Sequence, residues 1–209
     1  LGNSSGRHRS ALHVAARVGN KSFITWVLSR VNESTANKLL QTLDQGGNTP
    51  LQTALRVPQS TEQLSLVREL LRSNASVTRE CNHTGITPLH LAVRWNNVEL
   101  VNLLLDLGAD PNARDAKQTT PLHEAVASNA EHVISALLER HADVTCLDHK
   151  SRGLVHWLTF WARNTTYRGT SLLRLFLAQS PAPALDQGDH RGRTPLHYLA
   201  WHGTHDVTL

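Results

Sequence analysis

The block Thr-Pro-Leu-His occurs at Thr87–His90, Thr120–His123 and Thr194–His197, with the first two copies 33 residues apart. A fixed spacing of that size admits few architectures, because it marks a chain built from stacked copies of one supersecondary unit. Degenerate copies stand at Ser10-Ala11-Leu12-His13, Thr49-Pro50-Leu51-Gln52 and Gly153-Leu154-Val155-His156. The steps between blocks run 39, 38, 33, 33 and 41 residues, so about six units fit in 209 residues.

Each block reads as a helix start. Thr accepts a backbone N–H of the first turn, and Pro in the next place pre-sets φ while lacking only an N–H that would be unpaired there. The block Leu points into the stack, and the small Ala15, Ala54, Ala92 and Ala125 let a neighbouring element come close. A second apolar run follows in every unit: Phe23–Leu28, Leu66–Leu71, Leu100–Leu105, Val133–Leu138 and Leu172–Leu177. These spacings give one apolar helical face. Polar, turn-forming segments such as Gly108–Asp115 separate the helix pairs.

On these blocks and their period the chain resembles ankyrin-repeat proteins, over residues 10 to 209. The resemblance implies an all-α solenoid of helix-turn-helix units joined by β-hairpin loops. The units fall at approximately 7–45, 46–83, 84–116, 117–149, 150–190 and 191–209, the last incomplete, in a single domain spanning 1–209.

The longer steps locate insertions in loops, where chain is added at little cost. They are expected at Val31–Lys38 after the first unit, around Val57–Ser60 and near Cys81 in the second, and at Arg163–Gly169 and Pro181–Pro183 in the fifth. Leu158 and Leu199 replace the small Ala of the other units. Larger side chains at a close-approach position predict that the seam between the fifth and sixth units is the loosest in the stack.

No apolar run approaches the ~20 residues of a membrane span. Met is absent, so the sequence reads as a piece of a longer protein. Cys81 and Cys146 fall two repeats apart and are expected to be free thiols, which favours a reducing, intracellular compartment, cytoplasmic or nuclear. Six Asn-x-Ser/Thr sequons, at Asn3, Asn20, Asn32, Asn74, Asn82 and Asn164, read as a by-product of loops rich in these residues.

Histidine recurs at one repeat position as His13, His90, His123, His156 and His197. Such a ladder spreads its imidazoles one per layer instead of converging them on a metal, and the resemblance implies structural hydrogen bonds to the block Thr and nearby backbone. His197, His202, His205 and Asp206 form the one tight cluster, in a segment that bridges two helices. No nucleophile elbow, phosphate-binding glycine loop or paired-cysteine zinc pattern occurs, so no catalytic residue, metal or cofactor is expected.

Aromatic residues carry the stronger signal. The resemblance implies that hairpin tips and the two residues four and five places after the block His line the binding surface. Those places hold Arg17-Val18, Arg56-Val57, Arg94-Trp95, Ala127-Ser128, Phe160-Trp161 and Trp201-His202. Trp and Arg dominate interface hot spots, so Trp95, Trp161 and Trp201 are the expected anchors, with Arg94, Phe160 and His202 beside them. Trp26 and Trp157 are expected in the core. Lys117, Lys150, Arg152, Arg191 and Arg193 fall in hairpin segments and form the expected basic rim.

Charge runs unevenly, with no acid before Glu33, nine between residues 99 and 148, and a basic balance again from Lys150 to Arg193. The expected function is non-catalytic recognition of a partner protein, with no small-molecule substrate and no membrane insertion. An alternative is the substrate-recognition arm of a larger enzyme. Nucleic-acid binding through the basic ends is the weaker reading, because the net charge is only +4 and no basic stretch alternates with aromatics. A long exit from the first unit is similar to that of inhibitor-type ankyrin proteins that hold transcription factors of the NF-κB class.

Overall fold

A computed structural model describes residues 9–57, 60–161, 168–179 and 183–202. The insertions proposed at 58–59, 163–167 and 181–182, the sequons at Asn3 and Asn164, and His205 with Asp206 lie outside these residues.

The helices are α1 (Ala11–Val18), α2 (Lys21–Ser29), α3 (Glu33–Leu40), α4 (Pro50–Leu55), α5 (Thr61–Ser73), α6 (Pro88–Arg94), α7 (Val98–Asp106), α8 (Pro121–Ala127), α9 (Glu131–Glu139), α10 (Leu154–Trp161), α11 (Arg168–Leu177) and α12 (Pro195–His202). A short 3₁₀ turn covers Ala75–Thr78. The chain divides into two compact halves, residues 1–95 with 103–110 and residues 96–102 with 111–209, the boundary running through α7.

Helices begin where the blocks place them. Thr49 and Thr87 accept the backbone N–H of the third helical residue, and the Thr49 and Thr87 N–H groups are taken up by Gln52 Oε1 at 2.9 Å and His90 Nδ1 at 3.3 Å. Both ends of a capping box are thereby closed with His or Gln in the place usually held by Glu. The turns after α1, α6 and α8 take a positive φ, supplied by Gly19, Asn96 and Asn129.

In the first half, α1 packs on α4 and α4 on α6, with α2 and α5 forming the second layer. Ala15, Ala16, Ala54 and Ala92 are all buried at the close approaches, as their size dictates. Gln63 is buried on α5 and its amide donates to the Ala16 and Ala54 carbonyls at 2.9 and 2.8 Å, joining the C-terminal ends of α1 and α4. In the second half α8 and α12 pack on α10, with α9 against α8 and α11 against α10. Leu158 fills the place of the small Ala on α10 and is buried, while Leu199 is half-buried.

Two expectations need correction. Val31–Lys38 is not a plain loop, since most of it belongs to α3. Asn32 caps that helix by accepting the Thr35 N–H at 2.9 Å, and Leu40 is buried at its end. The hairpin segments contain no strand among the described residues. Each is a tight loop organised by one Asx side chain: Asp44, Asn82, Asp115, Asp148 and Asp189 accept from the backbone N–H groups two and four residues on, at 2.8–3.0 Å. Three residues after each Asx the backbone takes a positive φ, at Gly47, Gly85, Gln118, Ser151 and Gly192. Consecutive loops are tied through main chain, His83 N–H to the Gly46 carbonyl in the first half, and His149 and His190 N–H to those of Lys117 and Lys150 in the second.

The Asn residues of four sequons are used locally. Asn20, Asn32 and Asn74 cap helical turns, and Asn82 is the buried loop organiser. Ser or Thr follows them because the same turns favour hydroxyl side chains.

Gly47 sets a sharp test of the loop ladder. Its φ is +73°, and a Cβ there would lie 2.6 Å from the backbone nitrogen of His83, the donor that ties the two loops. Gly47→Ala is expected to cost about 1–3 kcal/mol from strain and displaced backbone. Gly192 has φ +72° with nothing within 4 Å of its Cβ, so Gly192→Ala carries conformational strain alone. Urea midpoints of the two variants check this, and equal midpoints would show that the steric term is absent.

Candidate protein-recognition surface

The histidine ladder is structural in its geometry. Nδ1 of His13, His90, His123 and His197 lies 2.7–2.9 Å from the block hydroxyl of Ser10, Thr87, Thr120 and Thr194, and His156 Nδ1 accepts the Gly153 N–H. Accepting a backbone N–H at Nδ1 leaves the proton on Nε2. That nitrogen reaches the next loop in His13, to the Asn48 carbonyl at 2.9 Å, and in His156, to the Arg193 carbonyl at 3.0 Å. Gln52 does the same with its amide, donating to the Ile86 carbonyl at 2.8 Å. His123 is the exception: its Nε2 is buried without a hydrogen-bond partner. Burial pushes its pKa down to about 4, outweighing the Asp148 carboxylate, which favours protonation.

Two of the expected rim cations are engaged within their own repeats. Arg152 pairs with Asp148 at 2.6 Å and lies over the Trp157 ring, 5.2 Å from its centroid, while the Trp157 N–H donates to the same carboxylate at 3.1 Å. Arg193 repeats the arrangement with Asp189 at 2.8 Å and Tyr198 at 4.9 Å, the Tyr198 hydroxyl donating to Asp189 at 2.7 Å. Burial raises the pKa of Asp189, yet the Arg193 side chain, the Arg193 and Arg191 N–H groups and the Tyr198 hydroxyl together hold it well below the carboxylate range. Lys117, Lys150 and Arg191 are exposed at loop tips.

The tryptophans divide by position. Trp201 is 77 % exposed near the end of α12. Trp95 caps α6 and is half-buried, its indole N–H donating to the Leu55 carbonyl, so one edge is fixed while part of the ring faces solvent. Arg94 beside it is exposed. Phe160, Trp161 and His202 lie on α10 and α12, and their side chains fall outside the described set. Trp157 is half-buried, edge-on to His123 at 5.4 Å. Trp26, expected in the core, is 57 % exposed. On α9 the equivalent place is Ala136, which is buried. Phe23 and Arg30 approach the Trp26 ring.

Choosing by tryptophan leaves out Arg17 and Arg56. Both are exposed at the repeat place that Arg94 occupies, four residues after the block His or Gln, and that regularity is legible in the sequence. Cys81 and Cys146 are free thiols, and burial pushes the Cys146 pKa up to about 11, with Asp143 adding to the effect. Among the described residues no cluster of His, Cys, Asp or Glu is placed to hold a metal ion, and no helix is long and apolar enough to cross a membrane.

Residues 59–148 match a family model described as ankyrin repeats, in three copies. Residues 59–148 are ankyrin repeats. It is 48 % identical over 60 residues to the ankyrin repeat, SAM and basic leucine zipper domain-containing protein 1 of Carollia perspicillata, a match covering 29 % of this chain and 12 % of that one. With the NF-kappa-B inhibitor delta of Mus musculus it shares 36 % identity over 115 residues, 47 % of this chain and 34 % of the relative. A third relative, palmitoyltransferase AKR1 of Lachancea kluyveri, is 40 % identical over 55 residues, covering 26 % and 8 %. The chain thus spans between about a twelfth and a third of these relatives, and ankyrin repeats such as those at 59–148 are modules that generally recognise other proteins.

Proposed function

We propose that residues 1–209 act as one non-catalytic recognition domain that holds a partner protein on its first-helix ends and loop tips. The observation that carries this reading is Trp201, 77 % exposed on a short helix. A large indole in water lowers solubility and is the side chain most enriched at the centres of protein interfaces. Trp95, pinned by its N–H and flanked by Arg94, is the matching anchor in the first half, and Phe160, Trp161 and His202 complete the set in the second. Lys117, Lys150 and Arg191 steer and orient the partner from the tips, while Arg152 and Arg193 hold the shape of their loops. Binding proceeds without chemistry. Free thiols at Cys81 and Cys146 fit an intracellular setting, cytoplasmic or nuclear.

The similarity to a palmitoyltransferase supports a second form of the same reading, in which the repeats select the substrate of an enzyme that lies elsewhere in a larger chain. Affinity capture from cell extract tests the proposal. Wild type is expected to retain a specific protein that Trp201→Ala releases, with a further loss in Trp95→Ala/Trp201→Ala. Equal retention by all three, with the helical circular-dichroism signal intact, would overturn the choice of anchors. Retention of nucleic acid in place of protein would overturn the partner class.

A further inference from the structure

Arg17, Arg56 and Arg94 occupy one repeat position on three helices that pack in sequence, α1 on α4 and α4 on α6. All three are exposed at the C-terminal ends of their helices. Arg17 lies in the last turn of α1, Arg56 caps α4 and Arg94 is the last residue of α6. Packed helices lie roughly 8–10 Å apart, which sets the pitch of this row. Among the described residues, the ion pairs of the first half leave Arg17 and Arg56 without a carboxylate, Glu69 being taken by Lys21 at 3.9 Å.

An apolar strip runs beside the cations. Val18 is 67 % exposed, Val57 is half-buried, and Trp95 is half-buried with its ring oriented by the Leu55 carbonyl. In the fourth repeat the corresponding pair is Ala127-Ser128, so the cationic row ends with α6. A polyproline II chain advances about 3.1 Å per residue with three residues per turn, so every third side chain returns to the same face after roughly 9 Å. That repeat falls within the roughly 8–10 Å general to packed helices.

We propose that the ends of α1, α4 and α6 bind an acidic protein segment in polyproline II conformation, with carboxylates three residues apart meeting Arg17 and Arg56 and the chain continuing past the α6 end. The intervening residues lie on Val18, Val57 and Trp95. Arginine is suited to this role because its planar guanidinium grips a carboxylate through two N–H groups. A protein segment fits better than a nucleic-acid strand, since one aromatic ring flanks the row where a single strand is held by successive stacking faces. The inference rests on the recognition function proposed above and names the chemistry of the partner on one part of that surface. The bland reading is that each arginine merely complements the partial negative charge at its helix C-terminus.

The test uses the full chain and a fluorescent peptide of four Glu-Pro-Pro repeats, with a Gln-Pro-Pro peptide, a peptide carrying Glu at every second position, and a thymidine oligonucleotide of equal charge alongside. Wild type is expected to bind Glu-Pro-Pro, and Arg17→Gln/Arg56→Gln is expected to weaken it about tenfold or more, a change of about 1.4 kcal/mol or more. Raising salt from about 50 to about 200 mM should weaken the wild type and leave the double variant little affected. Arg68→Gln/Arg72→Gln, with the same charge loss placed on α5 of the same half, is expected to bind as wild type. No binding at low salt, an unchanged double variant, equal binding of the Gln-Pro-Pro or alternating peptide, or tighter binding of the oligonucleotide would each overturn the proposal. Thermal melts of the variants show that they fold. A protein captured equally by wild type and the arginine double variant but released by Trp201→Ala would overturn this inference while leaving the recognition function standing.

Discussion

Leu122→Ala is expected to destabilise the chain by about 2–5 kcal/mol, whereas Leu196→Ala at the same place in another Thr-Pro-Leu-His block should change stability by less than about 0.5 kcal/mol. Leu122 has no exposed surface, and Leu196 is 62 % exposed. Truncating the first removes buried methyl groups and leaves a cavity among side chains that relax only in part. Leu196 loses little, because its methyls already meet solvent. Urea denaturation followed by circular dichroism checks the pair. Equal effects would show that burial of the block Leu does not set the cost, since both substitutions put Ala, the best helix former, in the same turn.

Acidification from pH 6.5 to 4 is expected to cost the folded chain up to about 3 kcal/mol through His123 alone. The folded ring stays neutral down to about pH 4 because burial disfavours the cation. The unfolded ring takes up its proton near pH 6.5, so between these values the unfolded chain binds more protons and stability falls as pH falls. Below about pH 4 both states carry the proton and this contribution levels off. His123→Gln should flatten the profile in that window while keeping the fold, because Gln52 already performs both hydrogen-bonding tasks in the second repeat, accepting the Thr49 N–H and donating to the Ile86 carbonyl. His156 is also depressed by burial and contributes with the same sign. Asp148 and Asp189 act later: their pKa values are held below the usual carboxylate range, so the stability they add persists above about pH 4 and fades only as pH falls through their depressed values. Melting temperatures of wild type and His123→Gln at pH 7, 5.5 and 4.5 decide the matter. Parallel curves would show that the ring is not the titrating group.

The repeat blocks made helix starts, caps and buried leucines legible because each depends on residues within a few places of one another. Where burial depends on a neighbouring repeat, the sequence of one repeat misleads. Trp26 stands where Ala136 is buried, yet it is exposed, since the difference lies in what packs against the helix. A polar run hid α3, whose evidence is the Asn32 cap and the late Leu39-Leu40 pair. Glycine was a poor guide to the loops, as Gln118 and Ser151 adopt the same positive φ as Gly47, Gly85 and Gly192. The recurring signal was the Asx three residues earlier. Counting charges in the loops also overstated the rim, because Arg152 and Arg193 have carboxylates four residues before them and aromatic rings five residues after.

The ties between successive loops run through main-chain atoms, His83 to Gly46 and, in the other half, His149 to Lys117 and His190 to Lys150. A tip held by its peptide groups keeps its place whatever side chain it bears. Lys117, Lys150 and Arg191 can therefore be exchanged for acids, amides or aromatics without disturbing the helices beneath. Such a chain can change its clientele over evolutionary time by altering the lettering on a ruler whose gradations stay put.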